Sequence, residues 1–318
     1  MKLLTFEAGN GPRLGVIAKD GNIIDLTNVG DAAFASMQSL IEAGSAAWDF
    51  ARKIAESSES DFDFSGTRLL SPLPCPLQMR DFLVFEVHMQ GAVWNGAKLR
   101  ERLGEGPPAP NSAPPIPNVW YEQPIYYKCN RFAVVGPDSV VNWPAFSNVA
   151  DYELELACVI GRGGRDISSN DASNHIFGYT ILNDLTARDT QFKEMQGPLG
   201  PAKGKDFDGA NVLGPVIVTA DEIDASALNM RAFVNDELWS EGSSSTMHWS
   251  FAEIIAFVSR SETLHPGEIL GSGTVGSGCG LELGRLLQHG DKVTLEIEGI
   301  GRQSTTINAP HIPERLVL

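Results

Sequence analysis

The stretch that decides the fold is 151–162, DYELELACVIGR. Its first residues alternate acid with apolar. In a strand, where successive side chains point to opposite faces, Asp151, Glu153 and Glu155 share one face while Tyr152, Leu154, Leu156 and Cys158 share the other. Two readings are open: the acidic face is wet, as one side of an antiparallel sheet commonly is, or something cationic sits on it. A second apolar run, FGYTILNDLTARD at 177–189, carries Asn183 and Asp184 near its end, with Arg188 and Asp189 beyond. A buried carboxylate must be paired or bind a metal. Glu153, Glu155 and Asp184 on neighbouring strands would suit a hard divalent cation, Mg2+ or Mn2+, with water and substrate completing the shell.

Outward from this pair, short strand-like runs recur from Trp120 onward with turn signals between them: PIYYKC, FAVVG, NVLGPVIVTA, MRAFVNDELW and DKVTLEIEG. Late in the chain SFAEIIAFVSRS reads as a helix, with Ser250 as N-cap and Glu253 closing a capping box. This predicts a mostly β, α+β main domain over 73–318, a sandwich or rolled barrel. Residues 1–72 read as a small N-terminal, β-rich domain: KLLTFEA and RLGVIAKDGNIIDL make hairpins, and helical spacing follows from Asp31 to about Ser57. The segment 97–117, AKLRERLGEGPPAPNSAPPIP, is too rich in Pro, Gly and charge to hold a packed core and reads as a flexible lid or loop.

Forty acidic against 24 basic residues, net −16, argue against a nucleic-acid partner. The four cysteines form no CxxC pair, so neither a zinc ribbon nor a secreted disulfide framework is indicated. With no signal-peptide pattern and no membrane-length apolar run, a cytoplasmic protein is expected. GSGTVGSGCG at 271–280 contains a formal GxGxxG, but no helix pattern of adequate length follows, so its glycines read as a turn where backbone approaches a ligand. His88, in RDFLVFEVHMQGA after Asp81 and Glu86, is the histidine best placed for chemistry; His175, His248, His265, His289 and His311 read as structural or surface residues. Lys205, among Gly, Asp and Pro, reads as a loop lysine on spacing alone.

Together, DYELELACVIGR, IFGYTILNDLTARDTQ, GPLGPAKGKDF, LGPVIVTADEI, GEILGSGTVGSGCG and GDKVTLEIEGIG resemble, in order and spacing, the catalytic domain of the fumarylacetoacetate hydrolase family over roughly residues 75–305. The resemblance implies a mixed β-sandwich roll, a homodimer, and a divalent cation held by Glu153, Glu155 and Asp184, with Mg2+ or Mn2+ first and Ca2+ as a third candidate. It implies His88 as general base, Lys205 as a contact to the substrate oxygen, and Arg188, Gln191 and Thr274 as substrate-binding positions. Asp81 matches a fourth metal-side acid, and Glu296 the acid that orients the histidine. Two positions depart from the family's branches. Leu83 stands where one branch has a tyrosine, and Gly91 where another has a glutamate three residues beyond its histidine, so Glu86 becomes a catalytic candidate in its place.

The expected function is metal-dependent hydrolysis of a carbon–carbon bond in a β-diketone or acylpyruvate-type 2-oxo acid, in catabolism. His88 would activate water and Lys205 would hold the oxyanion. The alternative uses the same enolate without hydrolysis: a 2-oxo acid decarboxylase, tautomerase or isomerase. A catalytically silent metal-binding protein is the third reading.

Overall fold

The computed structural model describes residues 1–9, 11–57, 59–197 and 199–318. The strand Leu154–Ile160 lies inside an 11-stranded sheet, between Ile176–Asp184 and Ile269–Gly271, and is buried on both faces. Leu154, Leu156, Cys158 and Ile160 pack into a core shared with Met230, Ala232, Val293, Leu295 and Ile297 of a second, five-stranded sheet. Ala157 and Val159, on the opposite face, belong to a second core with Leu3, Phe34, Leu40 and Ile41. The strand therefore has no wet face. Each of its leucines contributes roughly 1.5–3 kcal/mol by burial, and truncating Leu156 to Ala should cost about 2–5 kcal/mol.

The main path of the large sheet runs Ile23–Asp25, Gly11–Ile17, Lys2–Ala8, Asn211–Thr219, Ile176–Asp184, Leu154–Ile160, Ile269–Gly271, Met79–Phe82 and Tyr126–Lys128. The smaller sheet runs Glu237–Ser243, Asn229–Val234, Lys292–Ile297, Gly301–Asn308 and Ser139–Asn142. Its strand Gly301–Asn308 alternates buried with half-buried residues, the pattern of a sheet covered on one side. The result is an α+β, mostly β architecture of two packed sheets.

Seven α-helices are present among the described residues: α1 (Met37–Ala43), α2 (Ser45–Ser57), α3 (Glu86–Arg102), α4 (Asn118–Glu122), α5 (Arg188–Glu194), α6 (Phe251–Val258) and α7 (Gly280–Leu283). The expected capping box of α6 is formed, Ser250 and Glu253 satisfying each other's backbone N–H. None of the helices is long and apolar enough to cross a membrane.

Two expectations about organisation meet the structure directly. Strand Lys2–Ala8 pairs antiparallel with Asn211–Thr219, so the N-terminal segment shares the large sheet, and backbone hydrogen bonds cross the expected boundary at 72. The segment 97–117 is irregular only from 103, because AKLRER continues α3 and buries Leu99. The Pro-rich remainder folds back on that helix: the Trp94 indole donates to the Pro110 carbonyl at 2.9 Å, and Glu101 accepts from the Ala109 N–H at 2.8 Å.

Candidate active site

Carboxylate oxygens of Asp81, Glu155 and Asp184 lie within 4.8 Å of one another, all buried. Strand register explains the meeting. Met79–Phe82 pairs in parallel with Ile269–Gly271, placing Asp81 opposite Gly271; Gly271 in turn pairs with Ala157, two residues beyond Glu155. Ile176–Asp184 flanks the other side of the Glu155 strand and ends in the third acid. A Cβ at position 271 would stand 3.0 Å from Glu155 Oε2 and still closer to Asp81, so only glycine leaves the carboxylates room.

Each acid is partly satisfied by the protein. The Gly273 N–H donates to Asp81 at 3.1 Å, Thr274 Oγ1 to Glu155 at 3.4 Å, and the Tyr127 hydroxyl to Asp184 at 2.6 Å. Yet Glu155 Oε2 and Asp184 Oδ1 are buried with no hydrogen-bond partner. Burial, then the neighbouring Asp81, pushes the Glu155 carboxyl well up. Burial likewise raises Asp184, to about 7, against the pull of Lys205. Buried acids crowded together, two of them with an orphaned oxygen, form a group that could hold a metal ion, and an all-oxygen donor set suits a hard divalent cation.

Glu153 stands beside this trio. Its Oε2 accepts from Lys205 Nζ at 2.6 Å, while its Oε1 is 2.7 Å from Arg188 Nη2 and 3.9 Å from His88 Nε2. Burial raises its pKa, but Arg188, Lys205 and His88 outweigh that and hold the carboxyl far below the usual range. Lys205 also donates to Asp184 and, at 2.8 Å, to Thr186 Oγ1. An ammonium has three protons, and all three are engaged. Arg188 donates to Asp151 at 2.8 Å and to Gln191 Oε1 at 3.0 Å, while its Nη2 lies beside Glu153 without a hydrogen bond. Asp151, the first acid of the alternating run, thus faces Arg188 and the N–H groups of Gly280 and Leu281 that open α7.

His88 sits in the first turn of α3, buried, and donates through Nδ1 to Glu282 Oε2 at 2.7 Å, leaving Nε2 toward Glu153. Burial favours the neutral ring, but the Glu282 carboxylate overrides it and raises the histidine's pKa. A cavity of about 360 Å3 takes in Asp81, His88, Glu153, Arg188, Gln191, Lys205 and Thr274. The expected base, lysine, substrate-binding positions and Glu153 therefore converge on one space. A larger groove, about 1150 Å3, lies elsewhere; its acids Asp221, Glu222 and Asp224 are exposed, and it gathers no comparable buried chemistry.

The sequence matches the family model for the fumarylacetoacetate (FAA) hydrolase C-terminal domain over residues 94–308. The chain belongs to the fumarylacetoacetate hydrolase family. It is similar to oxaloacetate tautomerase YisK of Bacillus subtilis, 32% identical over 96% of this chain and 100% of the relative. It is also similar to the mitochondrial oxaloacetate tautomerase fahd2 of Xenopus laevis, 31% identical over 96% of this chain and 90% of the relative. Among solved structures, maleylpyruvate hydrolase from Sphingobium sp. SYK-6, in complex with manganese(II) and pyruvate, superposes with a TM-score of 0.72 at 23% identity, covering 97% of this chain and 99% of that one.

Within this family member, two expected acids lie away from the cavity. Glu86 is exposed at the start of α3, where it accepts from the Tyr121 hydroxyl at 2.6 Å; on a helix, residues two apart point to different sides, so it cannot share the direction of His88. Glu296 lies on the five-stranded sheet, half-exposed, 3.3 Å from Arg302 and 3.7 Å from Arg231. The acid that orients the histidine is Glu282, which sequence reasoning missed. A signal was present in GCGLEL: an acid between two leucines in a turn-like segment must be buried or paired. Gly91 marks the same place from the other side, since a Cβ there would stand 3.1 Å from Glu282 Oε1. The carboxylate from α7 occupies the room that a side chain at 91 would need.

Proposed function

We propose that the chain is a metal-dependent tautomerase of 2-oxo acids, interconverting the keto form with its enol. The observation that carries this reading is the likeness to two oxaloacetate tautomerases, each aligned over 96% of this chain. The geometry agrees with it: keto–enol exchange needs one base at the carbon, and His88, its Nδ1 held by Glu282, presents Nε2 to the cavity.

Glu153, Glu155 and Asp184, with Asp81, would hold Mg2+ or Mn2+. A hard divalent cation would supply Lewis-acid polarisation of the 2-oxo acid's oxygens. His88 acts at the carbon: Nε2 takes a proton from C3 of the keto form, the C3–H electron pair becomes the C2–C3 double bond as the carbonyl π pair moves onto the C2 oxygen, and the imidazolium gives the same proton to that oxygen to form the enol. In the reverse direction His88 returns the proton to C3. Glu282 holds the ring with Nδ1 occupied, so Nε2 is the nitrogen that titrates into the cavity. Gln191 and Thr274 line the cavity beside the acids and would bind the substrate carboxylate.

The test is the purified protein with Mn2+ on oxaloacetate and on an acylpyruvate, following both keto–enol exchange and the products formed. Accelerated exchange with the carbon skeleton intact is the expected result; stoichiometric cleavage products would restore the hydrolase. The proposal includes a homodimer, implied by the family resemblance and checked by light scattering at micromolar concentration.

A further inference from the structure

Beyond its acids and bases, the cavity has a second character. Leu83, Met89, Val93, Ile125, Phe192 and Met195 line it. Val93 and Met195 are 43% and 51% exposed, so unpartnered apolar surface continues outward at its rim. Its basic lining residues, among those described, are His88, Arg188 and Lys205. Each of them is already ion-paired with a carboxylate, although Arg188 Nη2 makes no hydrogen bond. Arg188 is neutralised by Asp151 and Glu153, Lys205 by Glu153 and Asp184, and His88 is paired with Glu282.

We infer that the cavity selects 2-oxo acids whose substituent at C3 is uncharged and apolar, an alkyl or aryl chain, over those that carry a second carboxylate there. The inference rests on the proposed 2-oxo acid chemistry and adds to it the identity of the substrate's other end. A second carboxylate would leave water for a wall of Leu83, Val93, Ile125 and Phe192, with no cation to receive it. An apolar chain would gain by burying against the same wall.

The experiment compares two probes that share an oxalyl head and differ at the tail: N-propyloxamate, apolar, and N-oxalylglycine, charged. Their affinities for the Mn2+-loaded protein are measured by calorimetry, and keto–enol exchange is followed on phenylpyruvate and oxaloacetate. N-propyloxamate should bind roughly tenfold or more tighter, and phenylpyruvate should show the higher kcat/KM. Val93→Arg, on the exposed side of α3, should narrow or invert both preferences at an unchanged melting temperature. Equal or tighter binding of N-oxalylglycine, or a Val93→Arg variant with unaltered ratios, would overturn the inference while leaving the tautomerase reading intact. Binding of neither probe would remove the 2-oxo acid site itself, and with it both proposals.

Discussion

The chain contains the pattern Glu-x-Glu in two strand regions, and the two have opposite fates. Glu153 and Glu155 enter the strand Leu154–Ile160, which is packed on both faces, and both are buried. Glu296 and Glu298 lie at the end of Lys292–Ile297, whose other face carries Val293, Leu295 and Ile297 into the core. There Glu296 meets Arg231 and Arg302 in half-exposed ion pairs, and the exposed Glu298 accepts from the Asn229 side chain. Alternation tells which residues share a face; it does not tell whether that face meets water. What separates the two regions is the next layer: nothing covers the acids of the small sheet, whereas those of the large sheet end against Lys205, Arg188 and each other.

The contrast is sharpest in its largest expected effect. Glu155→Gln replaces a carboxyl whose Oε2 has no protein hydrogen-bond partner, so the fold should survive while cation binding is lost. Turnover should fall roughly a thousandfold, the scale of several kcal/mol of lost Lewis-acid stabilisation. A titration with Mn2+ checks it; wild-type affinity in the variant would remove Glu155 from the metal site.

Next comes His88→Ala, which should lower turnover roughly a hundredfold, the scale of general-base loss, with Mn2+ affinity nearly constant. A tautomerase has no water-activating step through which it could bypass the histidine. Full keto–enol exchange in this variant would break the division of labour between the acids on the sheet and the base on α3.

Much of this arrangement was legible before any coordinates. The strand of Glu155 announces itself as an apolar run that begins with alternating acids and that of Asp184 as one that ends in an acid, and the family resemblance assigns Lys205, His88, Arg188, Gln191 and Thr274 to one site. Illegible were the pairings made across long separations. His88 and Glu282 are 194 residues apart and meet only because Asp151 fastens the start of α7 through the N–H groups of Gly280 and Leu281. Local spacing favoured Glu86, two residues from the histidine, but helix geometry turns it outward. Nor could spacing show that Lys205 spends all its protons on carboxylates and a threonine.

A third effect, intermediate in size, tests Glu282 as a positioning residue. Burial alone would depress the His88 pKa, and the Glu282 carboxylate reverses this, so Glu282→Gln should let the pKa fall. The base form of the histidine then persists to lower pH. The acidic limb of kcat should therefore shift to lower pH, with turnover at the plateau reduced roughly tenfold because the amide orients the ring less firmly. A purely structural role would lower turnover at every pH alike and leave the limb in place.

The smallest expected effect belongs to the other Glu-x-Glu strand. Glu296 is half-exposed, and its partners Arg231 and Arg302 are themselves about half in solvent, with side-chain exposures of 43% and 55%. Ion pairs of this kind contribute about 0–1 kcal/mol, because solvent screens the attraction and holding two long side chains in place costs entropy. Glu296→Gln should therefore leave the melting temperature within a few degrees and both turnover and its pH profile unchanged. Position sharpens the control, since the family resemblance alone nominated this acid as the partner of His88 while the structure gives that place to Glu282. If Glu296→Gln moved the acidic limb as Glu282→Gln is expected to do, the histidine's partner would lie on the five-stranded sheet, and the contrast between a covered and an uncovered pair of acids would lose its functional meaning.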